Sequence, residues 1–248
     1  MKNLSIESRD SVAIVRLNNG VTNAITPAMA VEVSGALNRI KSEFKGMVLA
    51  GGSKFFCIGL DLPGLLKLGR PAMTEFWHTF DQMCIDIYTL PMPTACAIAG
   101  HATAGGAILA IACDYRFVAS GRLFIGFNEV QIGVPVPYLA DMILRQIVGD
   151  RAATEMVYRG DFLNPEEAQL VGLADGVFSQ GDIEYQTVEN ISELAALPPQ
   201  GFKVIKEHRV EEIRLKFQQH SKIKAESFLD CWFSPPVQAL LHQAAEKF

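Results

Sequence analysis

Residues 94–120 read TACAIAGHATAGGAILAIACDYRFVAS. TACAIA is a short apolar run of strand length, and Gly100 interrupts it. GGAILAIAC opens on two glycines and carries no polar face, which predicts a helix buried all round. DYRFVAS is a second strand-length run. A membrane span is the competing reading, because residues 87–113 contain no Asp, Glu, Lys or Arg and are long enough to cross a bilayer. Pro91 and Pro93 break the start of that run, Gly100, Gly105 and Gly106 break its middle, and His101 sits near its centre. The stretch therefore reads as buried strand, glycine turn, buried helix and strand.

The flanking sequence repeats this alternation. Leu4–Ile6 and Val12–Arg16 alternate with period two, predicting two strands turned at Arg9-Asp10-Ser11. Pro27 opens a helix in which Ala30, Val33, Leu37, Ile40 and Phe44 recur at helical spacing, and Gly46 ends it. MVLAGG is a short strand, residues 51–64 a glycine-rich loop, and Phe76, Phe80, Met83, Ile87 and Leu90 mark another helix. Helices are expected near 138–148, 150–159 and 165–171, and throughout from about 181. Phe202, Ile205, Ile213 and Phe217 form an apolar stripe read as a packing face, and Pro198-Pro199 and Pro235-Pro236 as helix punctuation. Strands alternating with helices, then helices alone, give an α/β class with a helical C-terminal part.

Lys plus Arg is 22 and Asp plus Glu 27, a net charge of −5, which argues against nucleic acid and against a polybasic membrane anchor. Five cysteines at 57, 84, 96, 113 and 231 match no CxxC or zinc spacing, so they read as small apolar fillers in a reducing, cytoplasmic setting. MKNLSIESRD has no signal-peptide core, and AAEKF is not a peroxisomal tripeptide.

No GxSxG elbow, Walker loop, HExxH or GxGxxG occurs, and the five histidines lack ligand spacing. Two glycine turns stand out instead: Phe56-Cys57-Ile58-Gly59-Leu60-Asp61 and Ala104-Gly105-Gly106. They can be tight turns that merely pack closely. They can also aim main-chain N–H groups, one at a helix start, at a single oxygen.

FFCIGLDLPGL, AGHATAGGAILAIACDYR and LFIGFNEVQIGVP, in this order, resemble the crotonase (enoyl-CoA hydratase/isomerase) superfamily over nearly the whole chain. The resemblance implies a spiral core of ββα turns over residues 1–195, a helical trimerisation region over 196–248, and a homotrimer or hexamer. It implies an acyl-CoA thioester as substrate, with no metal and no separate cofactor. The N–H groups of Ile58 and Gly105 would hold the thioester oxygen. The CoA would run along the backbone of Cys57, Ile58, Gly59, Leu60 and Asp61, with Ala24 lining its site. Lys45 falls where relatives carry a basic residue that reaches a CoA phosphate; a solvated surface lysine is the other reading.

Hydratases of this family use two glutamates. One position is Ile108 here; the other is Glu129, which could otherwise be a strand-end salt-bridge partner. Holding a water for addition usually takes two carboxylates, whereas moving a double bond takes one base. An apolar Ile108 would also exclude water and raise the carboxyl pKa. GFNEVQIGVPVPYL, with no glycine between Gly133 and Gly149, resembles the monofunctional Δ3,Δ2-enoyl-CoA isomerases. The resemblance thus implies isomerisation by Glu129. Hydration, acyl-thioester decarboxylation and a non-catalytic acyl-CoA-binding subunit are its rivals.

Overall fold

The computed structural model describes residues 1–246; the last two residues of AAEKF, and with them the end of the 196–248 region, lie outside the described residues. The strands are β1 (Leu4–Arg9), β2 (Val12–Leu17), β3 (Gly46–Ala50), β4 (Phe55–Cys57), β5 (Thr94–Ile98), β6 (His101–Thr103), β7 (Tyr115–Ala119), β8 (Ile125–Gly126), β9 (Phe162–Leu163) and β10 (Gly176–Phe178). The helices are α1 (Pro27–Glu43), α2 (Leu62–Leu65), α3 (Arg70–Tyr88), α4 (Gly105–Ile111), α5 (Tyr138–Val148), α6 (Asp150–Arg159), α7 (Pro165–Leu170), α8 (Ile183–Ala195), α9 (Pro199–Trp232) and α10 (Pro235–Ala245).

One sheet has the order β1-β2-β3-β5-β7-β10 and is parallel except for the β1–β2 pair; the other has the order β4-β6-β8-β9. Each of β3, β5 and β7 lies in the first sheet and is followed within a few residues by β4, β6 or β8 in the second. Helices α2 and α3 after β4, and α4 after β6, return the chain to the first sheet, whereas after β8 it runs through α5, α6, β9 and α7 before β10. This repeated strand–strand–helix step is the crotonase spiral, and it brings the loop ends of β4, β6 and β8 side by side. Strands β3 and β5 are buried at every position, which explains why they read as unbroken apolar runs rather than alternating ones.

Thr26 caps α1 by accepting the Met29 N–H, and Pro27 supplies a ready-set φ at the first position. Helix α9 packs on α3 and α5, and α10 on α2. Lys206 of α9 is buried; its ammonium donates to Asp114 at 2.7 Å and to the Met92 carbonyl at 2.9 Å. The same Asp114 oxygen accepts from the backbone N–H and hydroxyl of Thr94, so one ion pair ties α9 to the starts of β5 and β7. Among the described residues no helix is long and apolar enough to cross a membrane.

Three expectations need correction. The glycine-rich 51–64 segment is not all loop: it contains β4 and α2. Residues 101–103 form a strand, β6, between the turn and the buried helix. The stripe on α9 is broken, with Ile213 and Phe217 buried but Ile205 62% exposed, because the faces that this long helix packs change along its length.

Candidate active site

The two glycine turns meet backbone to backbone. Segment 22–25 lies beside 58–61 like a short parallel strand: Ile25 N–H donates to the Gly59 carbonyl (2.7 Å) and Asp61 N–H to the Ile25 carbonyl (3.1 Å). Asn23, in the left-handed region at φ 49°, fastens this pairing with its side-chain amide, donating to the Phe56 carbonyl (3.1 Å) and accepting the Asn19 N–H (2.8 Å). Thr103 of β6 adds a hydroxyl bond to the Ile58 carbonyl at 2.8 Å. Gly59 has φ +113°, and a Cβ there would stand 3.1 Å from the Gly105 nitrogen. A Cβ on Gly106 would stand 2.0 Å from the Cys57 carbonyl oxygen, a distance no side chain can take. Close packing is therefore a real function of these glycines.

Close packing does not use up the Gly105 amide. Gly105 is the first residue of α4, so its N–H has no intrahelical acceptor, and no other backbone group accepts it. Ala104 before it holds φ 48°, ψ −118°, a conformation costly for a residue with a Cβ and one that concentrates at functional sites. The Ile58 amide differs from expectation. It donates to the Thr22 carbonyl at 3.0 Å, so the two idle donors anticipated from the sequence become one idle and one engaged. The cause is the 22–25 strap, whose carbonyls face the 58–61 turn.

Glu129 opens a one-turn 3-10 helix (Glu129–Ile132) just after β8. Gln131 pins that turn by donating to the carbonyls of Gly160 (2.9 Å) and Arg159 (3.2 Å), and Val134 N–H donates to the Glu129 carbonyl. The Glu129 side chain is buried, and among the described residues neither carboxylate oxygen has a hydrogen-bond partner. The salt-bridge reading of this residue therefore fails. Burial pushes its carboxyl up to about 7.

Ile58, Leu60, Gly105, Ile108 and Glu129 line one cavity of about 490 Å³. Two aromatic groups complete it: Phe55, His101 and Phe162 from the small sheet with Phe124 just before β8, and Trp77, Phe80, Phe228 and Trp232 from α3 and α9. Trp77 and Phe228 stack with centroids 3.5 Å apart. Among the described residues neither Lys nor Arg lines the cavity. Burial and nearby Lys54 push His101 toward its neutral form.

The remaining expected positions lie off the cavity wall. Cys57 is fully buried against Gly59, and burial pushes its thiol up to about 12, which keeps it protonated. Gly59 and Asp61 are committed to the strap, and Asp61 immediately precedes α2. Ala24 is buried and its carbonyl accepts from Asn19. Lys45 is exposed immediately before β3, a five-residue strand that sets it roughly 16 Å from the far end at Ala50. Of the two readings open at Lys45, this placement favours the solvated one. The aromatic lining from α3 and α9 was not named from sequence: its members lie some 150 residues apart in a chain where only coordinates bring them together.

The sequence profile described as enoyl-CoA hydratase/isomerase matches residues 7–247. Human enoyl-CoA delta isomerase 1, mitochondrial, is 27% identical over 75% of this chain and 63% of its own length. A putative enoyl-CoA hydratase of Thermus thermophilus is 32% identical over 79% of each chain. The crystal structure of human mitochondrial delta3-delta2-enoyl-CoA isomerase superposes with a TM-score of 0.95 at 23% identity, over 99% of this chain and 97% of that one. The profile match covers almost every element of the spiral and its helical cap, and the chain belongs to the enoyl-CoA hydratase/isomerase family.

Proposed function

We propose that this chain shifts the carbon–carbon double bond of an enoyl-CoA from position 3 to position 2, with Glu129 as its single acid/base. The carrying observation is the buried Glu129 carboxyl, without any partner, on an apolar cavity wall where Ile108 stands in place of a second carboxylate. The thioester oxygen accepts from the Gly105 N–H, and from the Ile58 N–H as that group exchanges or shares its Thr22 acceptor. Ionised Glu129 takes a proton from C2 of the acyl chain. The electron pair left behind spreads over C2–C4 and the thioester oxygen as a dienolate. Each main-chain donor to that oxygen stabilises it by about 3 kcal/mol. Protonated Glu129 then gives the proton to C4, so the double bond ends at C2–C3 and the carboxylate is restored. The outer edge of residues 57–61 and the Ala24 turn are assigned to the CoA.

The relative named delta isomerase supports this reading, and the relative named hydratase supports its rival. Hydration needs a water polarised between two acidic groups, and Ile108 leaves one. Decarboxylation needs a countercharge for a carboxylated substrate, and among the described residues no Lys or Arg lines the cavity. Incubation with 3-hexenoyl-CoA separates these outcomes. Isomerisation appears as accumulation of the conjugated thioester, hydration as its loss, and a non-catalytic subunit as binding without turnover. Glu129→Gln should lower kcat by at least about a hundredfold; near-normal turnover by that variant would remove Glu129 from the mechanism.

A further inference from the structure

Three buried side-chain polar atoms lack a hydrogen-bond partner among the described residues: Glu129 Oε1, Glu129 Oε2 and Trp232 Nε1. All three belong to residues on the wall of the same cavity. The carboxylate atoms are used by the proposed chemistry, and the indole N–H is not. Trp232 ends α9, is 1% exposed, and packs its ring on Phe228 at 6.0 Å. An indole nitrogen is a donor only and cannot relieve its burial by changing protonation. A buried donor left unpaired is costly, so its presence on a ligand cavity points to an acceptor that arrives with the ligand.

We propose that Trp232 Nε1 is a specificity determinant that donates to a neutral oxygen, hydroxyl or keto, carried on the acyl chain. The preferred substrates are then oxygenated acyl-CoA thioesters rather than plain hydrocarbon ones. This rests on the reading of the cavity as an acyl-CoA site. The wall sets the class of acceptor. A carboxylate on the chain would meet no Lys or Arg among the described lining residues and would share the wall with Glu129, whereas a neutral oxygen needs only the one donor. Trp77, Phe80 and Phe228 provide apolar surface for the rest of the chain.

Calorimetric titration of the wild-type chain with saturated acyl-CoAs tests this without requiring turnover. The set consists of a hydrocarbon parent and isomers of equal length bearing one hydroxyl or keto group at successive carbons. One oxygenated isomer should bind about tenfold tighter than the parent, and Trp232→Phe should bring that ratio to about one. The wild-type comparison stands alone if the variant fails to fold. A parent that binds as tightly as every oxygenated isomer overturns the inference and leaves the isomerase reading in place, as does a preference that survives Trp232→Phe. Failure of every thioester to bind overturns both.

Discussion

Replacing Glu129 by Gln keeps the shape of the side chain and removes its charge, which turns the burial of this carboxyl into a measurable stability. Burial raises the group from its ordinary 4.5 to about 7. The folded chain therefore retains a proton that the unfolded chain releases near pH 4.5. That contribution to stability is complete below the unfolded value and is lost as pH rises through the folded one. Above about pH 7 the folded wild type must hold a buried, unpartnered carboxylate, at a cost of about 3 kcal/mol. The glutamine variant has no such dependence. Any constant penalty from its amide cancels when two pH values are compared. Urea unfolding of both chains at pH 5 and pH 8 should show the variant gaining about 2–3 kcal/mol relative to wild type between those conditions. Parallel pH dependences of the two chains would refute the claim that Glu129 is buried without a compensating partner.

If Glu129 is the base of the proposed reaction, kcat/KM for isomerisation should rise with pH and level off above about 7, and an acid limb near 4.5 would show a solvated base instead. Gly106→Ala places a methyl 2.0 Å from the Cys57 carbonyl. It should cost about 3 kcal/mol, read in thermal unfolding as a Tm loss of about 6–12 °C, and unchanged melting would deny the backbone contact. Lys206→Met leaves Asp114 without its ammonium and should destabilise by about 2–3 kcal/mol, discounted from a fully buried pair because Asp114 is partly exposed. Adding Asp114→Asn should recover part of that loss, and additive effects in the double variant would argue against the pair.

What the sequence disclosed depended on length scale. Helices α5 and α6 begin and end where their apolar spacing and flanking glycines place them, at 138–148 and 150–159. In α1 the pattern overran: Phe44 continues the period but already has extended backbone, as the chain turns into β3. Strands β4, β6 and β8 span two or three residues each, too few for a period of two to register. They belong to the small sheet that carries the site, so the part of the fold nearest the chemistry was the least legible. Glu129 was identified through resemblance, since a single glutamate after a two-residue strand has no spacing to betray it. Neither the engagement of the Ile58 amide by Thr22 nor the meeting of Trp77 with Phe228 leaves a local trace, because both join segments by backbone or ring contacts across the fold.

That Ile58–Thr22 bond bears on how the proposed reaction would be accelerated. An amide already satisfied by a peptide carbonyl gains little from a neutral thioester oxygen, which is no better an acceptor. It gains more from a dienolate oxygen, where negative charge concentrates and charge-assisted bonds strengthen. Exchange of acceptor would then favour the transition state over the bound substrate, and only such differential binding raises kcat. Gly105, idle before substrate arrives, would act on both states and fix the position of the carbonyl. On this reading the two turns divide the work: one amide orients the thioester, and the other is released to it as the charge develops over the carbon skeleton beneath Glu129.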